Sequence, residues 1–76
     1  MNIFEEAVKY YRAYIERNDS LESFAYDVNT LGGTFENDCW INTNKKESII
    51  SDKNSNIIKK IPLVDLYDYV KGNKLI

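Results

Sequence analysis

Few side chains in this sequence could carry out chemistry, and each of them also suits a plain structural role. The chain has no histidine and one cysteine, Cys39. A reactive thiolate is favoured beside a cationic group or a helix N-terminus, whereas Cys39 lies between Asp38 and Trp40. We therefore interpret Cys39 as a small core residue, on the same strand face as Phe35 and Ile41.

Pairs of carboxylates could hold a divalent cation or share acid–base chemistry. Glu36 and Asp38 are two residues apart, which would place them on one face of a strand. Asp65 and Asp68 come near the start of a predicted helix, where acidic side chains complement the helix dipole. No third ligand accompanies the first pair, so we interpret it as a solvated strand face and predict no metal site.

Sequence motifs for phosphate or redox chemistry are also missing. The chain contains no GxxxxGK(S/T), GxGxxG or CxxC pattern, and without histidine it has no Ser-His-Asp or Cys-His arrangement. Its one glycine pair, Gly32-Gly33, is typical of a helix end. The sequence therefore predicts that the protein is not an enzyme and that it has no catalytic residues, cofactor or metal.

Length and composition predict one small domain, residues 1–76. Hydrophobic residues make up 43% of the chain and aromatic residues 13%, which argues against intrinsic disorder. A single cysteine permits no internal disulfide, and no apolar run approaches the roughly 20 residues that span a bilayer. The N-terminal segment carries glutamates where a signal peptide would be apolar. We therefore expect a cytoplasmic protein that does not bind membranes.

The charge balance bears on the class of partner. Ten basic and twelve acidic residues give a formal net charge of −2, whereas nucleic-acid-binding domains usually carry a basic patch. Lys45-Lys46 and Lys59-Lys60 lie near predicted turns, where lysines protect exposed strands against aggregation. A protein is therefore the expected partner, and nucleic acid is not.

Two amphipathic helices are predicted in the first half of the chain. Asn2 and Glu5 form a capping-box-like arrangement at the start of the first helix. At 100° per residue, its apolar and aromatic side chains fall within an arc of about 160°: Ile3, Phe4, Ala7, Val8, Tyr10, Tyr11, Tyr14 and Ile15. The second helix begins near Asp19 and ends at the glycine pair, with these residues on its buried face: Leu21, Phe24, Ala25, Val28 and Leu31.

Strands and a last helix are predicted in the second half. Residues 34–42 alternate in apolar character, and residues 47–52 and 57–61 follow as strands rich in β-branched side chains. A bulge or a shorter first strand is an alternative, because Asn37 and Asp38 are poor strand formers. Pro62 suits the first position of a helix that Gly72 ends, and these residues form its buried stripe: Leu63, Leu66, Tyr67 and Val70. The prediction is an α+β fold in the order ααβββα: a helical hairpin, a three-stranded antiparallel meander and a C-terminal helix.

Six amphipathic or apolar side chains are candidates for a partner surface. They lie at the margin of the predicted buried faces or away from them, and Tyr and Trp are enriched in protein interfaces: Ile3, Tyr10, Tyr14, Tyr26, Trp40 and Tyr69. Because the arc on the first helix exceeds the roughly 100° that a surface helix needs, its margin is expected to contact another protein. A second copy in a two-fold homodimer is the simplest case. The sequence thus predicts a non-catalytic protein-interaction module, acting as a small regulator or inhibitor.

Codon usage inferred from composition favours an A/T-rich genome. Asn and Ile occur nine times each, and lysine outnumbers arginine eight to two. Short reading frames of this kind are common in phages and conjugative elements, which makes a mobile element the expected source.

One segment supports an alternative function. SIISDKNSNIIKKIPLVDLYDYV, residues 48–70, resembles the wing and following helix of small excisionase-like winged-helix proteins. The resemblance implies a small DNA-binding protein. It covers less than a third of the chain, and the recognition helix that this family needs is replaced by predicted strand after Gly32-Gly33. Residues 34–42 distinguish the two hypotheses, because only a helix there could enter a major groove.

Overall fold

The computed structural model of the protein describes residues 2–35 and 38–73. The elements follow one another in this order: α1 (Ile3–Glu16), α2 (Leu21–Val28), β1 (Gly32–Thr34), β2 (Trp40–Thr43), β3 (Glu47–Ser51), β4 (Ile57–Pro62) and α3 (Leu63–Asn73). The predicted α+β fold is confirmed, with two helices before an antiparallel sheet and one helix after it. The sheet has four strands in the order β1-β2-β3-β4, one strand more than predicted.

Side-chain caps position the starts of the two N-terminal helices. The Asn2 side chain accepts a hydrogen bond from the Glu5 N–H at 3.2 Å, as the capping pattern predicts. In α2 the cap is Ser20, one residue after the predicted Asp19, and its hydroxyl accepts from the Ser23 N–H at 3.1 Å. Each cap satisfies a backbone donor that a helix leaves free in its first turn.

The glycine pair does not end α2, contrary to the prediction. The helix ends at Val28, and Thr30 takes the left-handed conformation, with φ 72°, that a glycine was expected to take. Gly32 and Gly33 instead form β1. A Cβ atom on Gly32 would lie 3.0 Å from the Ile41 carbonyl oxygen. Glycine is therefore needed here because β1 approaches the backbone of β2 closely.

The single strand predicted at residues 34–42 is also wrong. Thr34 ends β1 and Trp40 begins β2, and the Phe35 N–H donates to the Cys39 carbonyl oxygen at 2.7 Å across the connection. Asp38 has a positive φ of 62°, which an alternating strand does not allow. β1 and β2 are therefore separate antiparallel strands, and the sheet gains a fourth strand. Glu36 and Asn37 lie outside the described residues.

The boundaries of α3 differ slightly from prediction. Pro62 is the last residue of β4 rather than the first of the helix, and Gly72 lies inside the helix rather than after it. The Leu63 N–H donates to the Lys46 carbonyl oxygen at 3.0 Å. Because successive residues of a strand alternate in direction, the nitrogen of Pro62 faces the open edge, where a missing N–H costs no ladder bond.

The core lies between one face of the sheet and the three helices. Eight side chains on the predicted faces of the helices are large and at most 3% exposed, whereas Phe4 and Leu21 on the same faces are partly buried. The eight are Val8, Tyr11, Ile15, Phe24, Val28, Leu63, Leu66 and Val70. The sheet contributes three fully or almost fully buried isoleucines, Ile41, Ile50 and Ile61. Among the described residues, no helix is long and apolar enough to cross a membrane.

Candidate interaction surface

The side chains considered for chemistry lie in different parts of the fold. Cys39 is 8% exposed and belongs to the core cluster, as predicted. Asp38 is exposed in the β1–β2 connection, and its proposed partner Glu36 lies outside the described residues. Asp65 lies in the first turn of α3, where it complements the helix dipole. Within residues 2–35 and 38–73, no three His, Cys, Asp or Glu side chains group together as metal ligands would.

The margin of α1 is partly covered by the chain itself. Ile3, Tyr10 and Tyr14 are all partly buried against the core. The Tyr10 ring meets Tyr11 edge-on at 5.0 Å and Phe35 at 6.3 Å, and burial raises the Tyr10 pKa. The guanidinium of Arg17 lies 4.7 Å from the centre of the Tyr14 ring. Part of the wide apolar arc therefore serves the fold, while a homodimer through its outer side stays a prediction.

The other three candidate aromatics lie on three different elements. Tyr26 on α2 is 78% exposed, Trp40 on β2 is 47% exposed and Tyr69 on α3 is 40% exposed. Tyr69 packs edge-on against Phe4, with ring centroids 5.2 Å apart. No ring contact joins these three in the part of the chain that the structure describes. They do not form one aromatic patch, and the neighbours of each must be considered separately.

Trp40 lies on the sheet face opposite the core, which we call the outer face. Burial alternates along β2 and β3, so that Ile41 and Ile50 point into the core while Trp40 and Ser51 point away from it. Strand register pairs Trp40 with Ser51, and Ser51 with Ile57. Residues paired across strands share a face, so these three form one row across β2, β3 and β4.

A bulge enlarges the apolar part of this face. Register shifts between Ile50 and Ser51, so that β4 has one residue more than β3 at this point. Ile57 and Ile58 at the bulge are 56% and 45% exposed. Analysis of the sequence did not select them as candidates. The signal was present, since two adjacent isoleucines in a strand cannot both face the core.

A groove of about 390 Å³ adjoins Trp40 at one end of the sheet. The groove combines apolar walls with one cation and one carboxylate, and these residues line it: Thr34, Phe35, Asp38, Cys39, Trp40 and Lys53. Among the pockets of the described residues, this groove is the one that Trp40 lines. An apolar side chain of a partner could enter the groove while its neighbours contact the sheet.

The two edges of the sheet are poorly suited to pairing with a further strand. β1 has three residues, two of them glycine. β4 combines a bulge, two exposed lysines and Pro62, all of which discourage pairing between edges. Lys59 and Lys60 lie on this exposed strand, which agrees with their interpretation as edge protection. The outer face is therefore a better candidate surface than either edge.

The region that distinguishes the winged-helix alternative includes parts of β1 and β2. Thr34 lies in β1, residues 40–42 lie in β2, and α2 leads into β1 through three residues, Asn29–Leu31. Among the described residues no α-helix occupies the place of a recognition helix. Comparison with known protein families, curated proteins and solved structures found no match to this chain.

Proposed function

We propose that the protein is a non-catalytic protein-interaction module that binds its partner through the outer face of the sheet and acts as a regulator or inhibitor. One observation carries the proposal. Trp40 and Ile57 are about half exposed in the same row of a sheet face that the helices leave open. Tryptophan is enriched among the residues that dominate binding energy in protein interfaces.

The dimensions of the outer face indicate the class of complex. Four strands about 4.8 Å apart and three to six residues long, at 3.3 Å per residue, present a surface about 19 Å wide and about 10–20 Å long. A stable interface of standard size buries about 800 Å² on each partner, close to a sixth of the 4935 Å² surface of the described residues. The outer face alone is smaller than that. We therefore expect a transient complex of micromolar affinity, unless the partner also fills the groove beside Trp40.

The test is capture of a partner with matched variants. The binding variant is Trp40→Thr combined with Ile57→Thr, because threonine retains a high β-propensity while removing the apolar contact area. The control is Tyr26→Ser, which removes an even more exposed aromatic side chain from α2. Each tagged protein is incubated with a lysate of the organism that encodes it, and captured proteins are identified by mass spectrometry. Binding to each purified candidate is then measured by calorimetry.

The expected result is a partner that binds the wild type and Tyr26→Ser with similar affinity. The double variant should bind at least about 30-fold more weakly, the loss expected of a dominant interface residue. Circular dichroism checks that all three proteins are folded. A partner that binds the double variant as tightly as the wild type would contradict the proposed surface.

A further inference from the structure

Thr30 has an unusual backbone conformation in the connection between α2 and β1. Its φ of 72° lies in the left-handed region, where a β-branched residue is a marked outlier. The Thr43 carbonyl oxygen accepts a hydrogen bond from the Thr30 N–H at 3.0 Å, and the Thr43 N–H donates to the Leu31 carbonyl oxygen at 2.9 Å. Two residues thus oppose one, as in the β-bulge whose first residue is normally a left-handed glycine. The connection is therefore strained.

This connection joins two halves of the fold. Residues 29–31 link the helical hairpin, which consists of α1 and α2, to the unit formed by the sheet and α3. The chain has one cysteine, so no internal disulfide adds a second covalent link. The halves are otherwise held by the buried core and by hydrogen bonds between the Tyr11 hydroxyl and those of Thr43 and Ser48. All of these contacts are noncovalent and can form equally well between two chains.

Release of the strain requires the two halves of one chain to separate. Asn29 is already extended, with φ −58° and ψ 128°. A change of Thr30 to an extended conformation therefore straightens the whole connection and carries the hairpin away from its own sheet. The surface that the hairpin leaves is complementary to an identical hairpin from a second copy. Short connections under strain favour this kind of exchange.

We infer that Thr30 is a hinge that allows two copies of the chain to exchange their helical hairpins. In the resulting dimer, the hairpin of each copy packs on the sheet and α3 of the other. Such domain swapping re-forms the contacts of the monomer without a new interface. Each outer face consists of strands from one chain, so the dimer presents two complete outer faces. The inference goes beyond the proposed function and does not depend on Trp40 or Ile57.

The exchange is expected only at high protein concentration. A short connection holds the halves of one chain at an effective concentration in the millimolar range. The left-handed conformation disfavours a residue with a Cβ atom about fivefold or more, and the dimer relieves two such residues. Because Thr30 is exposed, water can replace its hydrogen bond with Thr43 in the open connection. We therefore expect a measurable dimer fraction at about 0.1–1 mM protein.

The test begins with refolding from urea at about 1 mM protein, which lets the halves of each chain separate before they pack again. Size-exclusion chromatography with light scattering then measures the dimer fraction of each variant. Thr30→Gly accepts the left-handed conformation without strain. The matched control is Ser55→Gly, because Ser55 has a φ of 69° in the turn between β3 and β4, inside one half.

A third variant opens the hinge directly. Thr30→Pro fixes φ near −65° and removes the N–H that donates to Thr43. Asn29 already has the extended conformation that a following proline requires. The closed connection is therefore excluded in this variant, while the exchanged dimer is not.

Isotope-filtered NMR distinguishes exchange from an ordinary dimer of complete monomers. Labelled and unlabelled chains are refolded together, and contacts between chains are recorded on the isolated dimer. Exchange predicts that Tyr11 of one copy contacts Thr43 and Ser48 of the other. A dimer through the margin of α1 predicts that Tyr11 contacts these residues within its own copy.

The expected result is a wild-type dimer that shows the Tyr11 contacts between copies. Thr30→Gly should raise its dissociation constant at least about 20-fold, since each dimer contains two hinges. Ser55→Gly should change the dissociation constant by less than about twofold, because its turn is the same in both states. Thr30→Pro should lower the constant at least about tenfold.

Three results would overturn the inference. The first is a wild type that stays monomeric after refolding at about 1 mM, where strain release predicts dimer. The second is a dimer in which Tyr11 contacts only its own copy. The third is a dissociation constant that Thr30→Gly leaves unchanged, since the strain at Thr30 would then have no part in association.

Discussion

Substitution of Tyr11 by phenylalanine tests how hydrogen bonds from α1 to the sheet stabilise the fold. Tyr11 is fully buried, and its hydroxyl lies 2.5 Å from Thr43 Oγ1 and donates to Ser48 Oγ at 2.8 Å. Thr43 and Ser48 are paired residues on β2 and β3, so this cluster joins α1 to the centre of the sheet. Every buried side-chain polar atom in the described residues has a hydrogen-bond partner.

The expected loss of stability depends on the hydroxyls of Thr43 and Ser48, which remain after the substitution. A buried polar group left without its partner costs about 1–3 kcal/mol. Thr43 and Ser48 are paired across β2 and β3, so their hydroxyls can form a hydrogen bond with each other. The substitution then removes one hydrogen bond and does not leave both hydroxyls without a partner. We expect Tyr11→Phe to lower the free energy of unfolding by about 2 kcal/mol. Because a domain of this size is stable by only about 4–11 kcal/mol, such a loss is easily measured.

Urea denaturation followed by circular dichroism measures the change. Tyr14→Phe is the matched control, since it removes the same atom from the same helix at a partly buried position, and should change stability by less than about 0.5 kcal/mol. Combining Tyr11→Phe with Thr43→Val and Ser48→Ala should recover much of the loss, because apolar groups then replace all three hydroxyls. Equal effects of Tyr11→Phe and Tyr14→Phe would refute the role assigned to this cluster.

The same hydroxyl predicts sensitivity to alkali. Burial raises the Tyr11 pKa above its usual value near 10, more than its hydrogen bonds with Ser48 and Thr43 lower it. The neutral form therefore stabilises the fold below about pH 10, and this contribution is lost as the pH rises through the folded pKa. The wild type should lose stability above pH 10 more steeply than Tyr11→Phe does.

Three further predictions concern backbone, charge and association. Gly32→Ala should lower the melting temperature, since its Cβ would crowd the β2 backbone at 3.0 Å, whereas a Cβ on Gly33 meets its nearest neighbour at 3.7 Å and should be tolerated. Hydrogen bonds from Arg17 lower the pKa of Asp27, so the stabilising effect of its carboxylate is fully present above about pH 4 and is lost as the pH falls through the lowered pKa. Asp27→Asn should therefore weaken the fold more at pH 7 than at pH 2. If the α1 margin forms a homodimer, Tyr10→Glu with Tyr14→Glu should abolish association in sedimentation while circular dichroism shows that the monomer stays folded. A wild type that is monomeric at high concentration would exclude that dimer.

Local patterns in the sequence were enough to predict the helices and most of the core. These patterns depend on neighbours within one or two helical turns. They are the Asn2 cap and the spacing of apolar residues along α1 and α2. The same holds for Leu66 and Val70 in α3. Trp40 was also selected correctly as exposed, because alternation along a strand predicts which residues share a face.

Features that depend on distant pairing required the tertiary structure. The local sequence allows the glycine pair either to end a helix or to begin a strand. Pairing with β2, whose backbone approaches closely at Ile41, places the pair in β1. Ile57 and Ile58 are exposed together because the register of β4 shifts against β3 at Ser51. Strand register is set by contacts between residues far apart in the chain, so no local pattern specifies it.

The candidate surface shows the same division. Composition alone gives a net charge of −2 and no histidine. From these two facts the sequence predicted neither histidine-dependent catalysis nor nucleic-acid binding. Folding decided that Lys60 lies in the row beside that of Trp40 and that Lys53 lines the groove that contains Trp40. Net charge is a sum over residues and carries no positions, whereas a binding surface depends on where strand pairing places each charge.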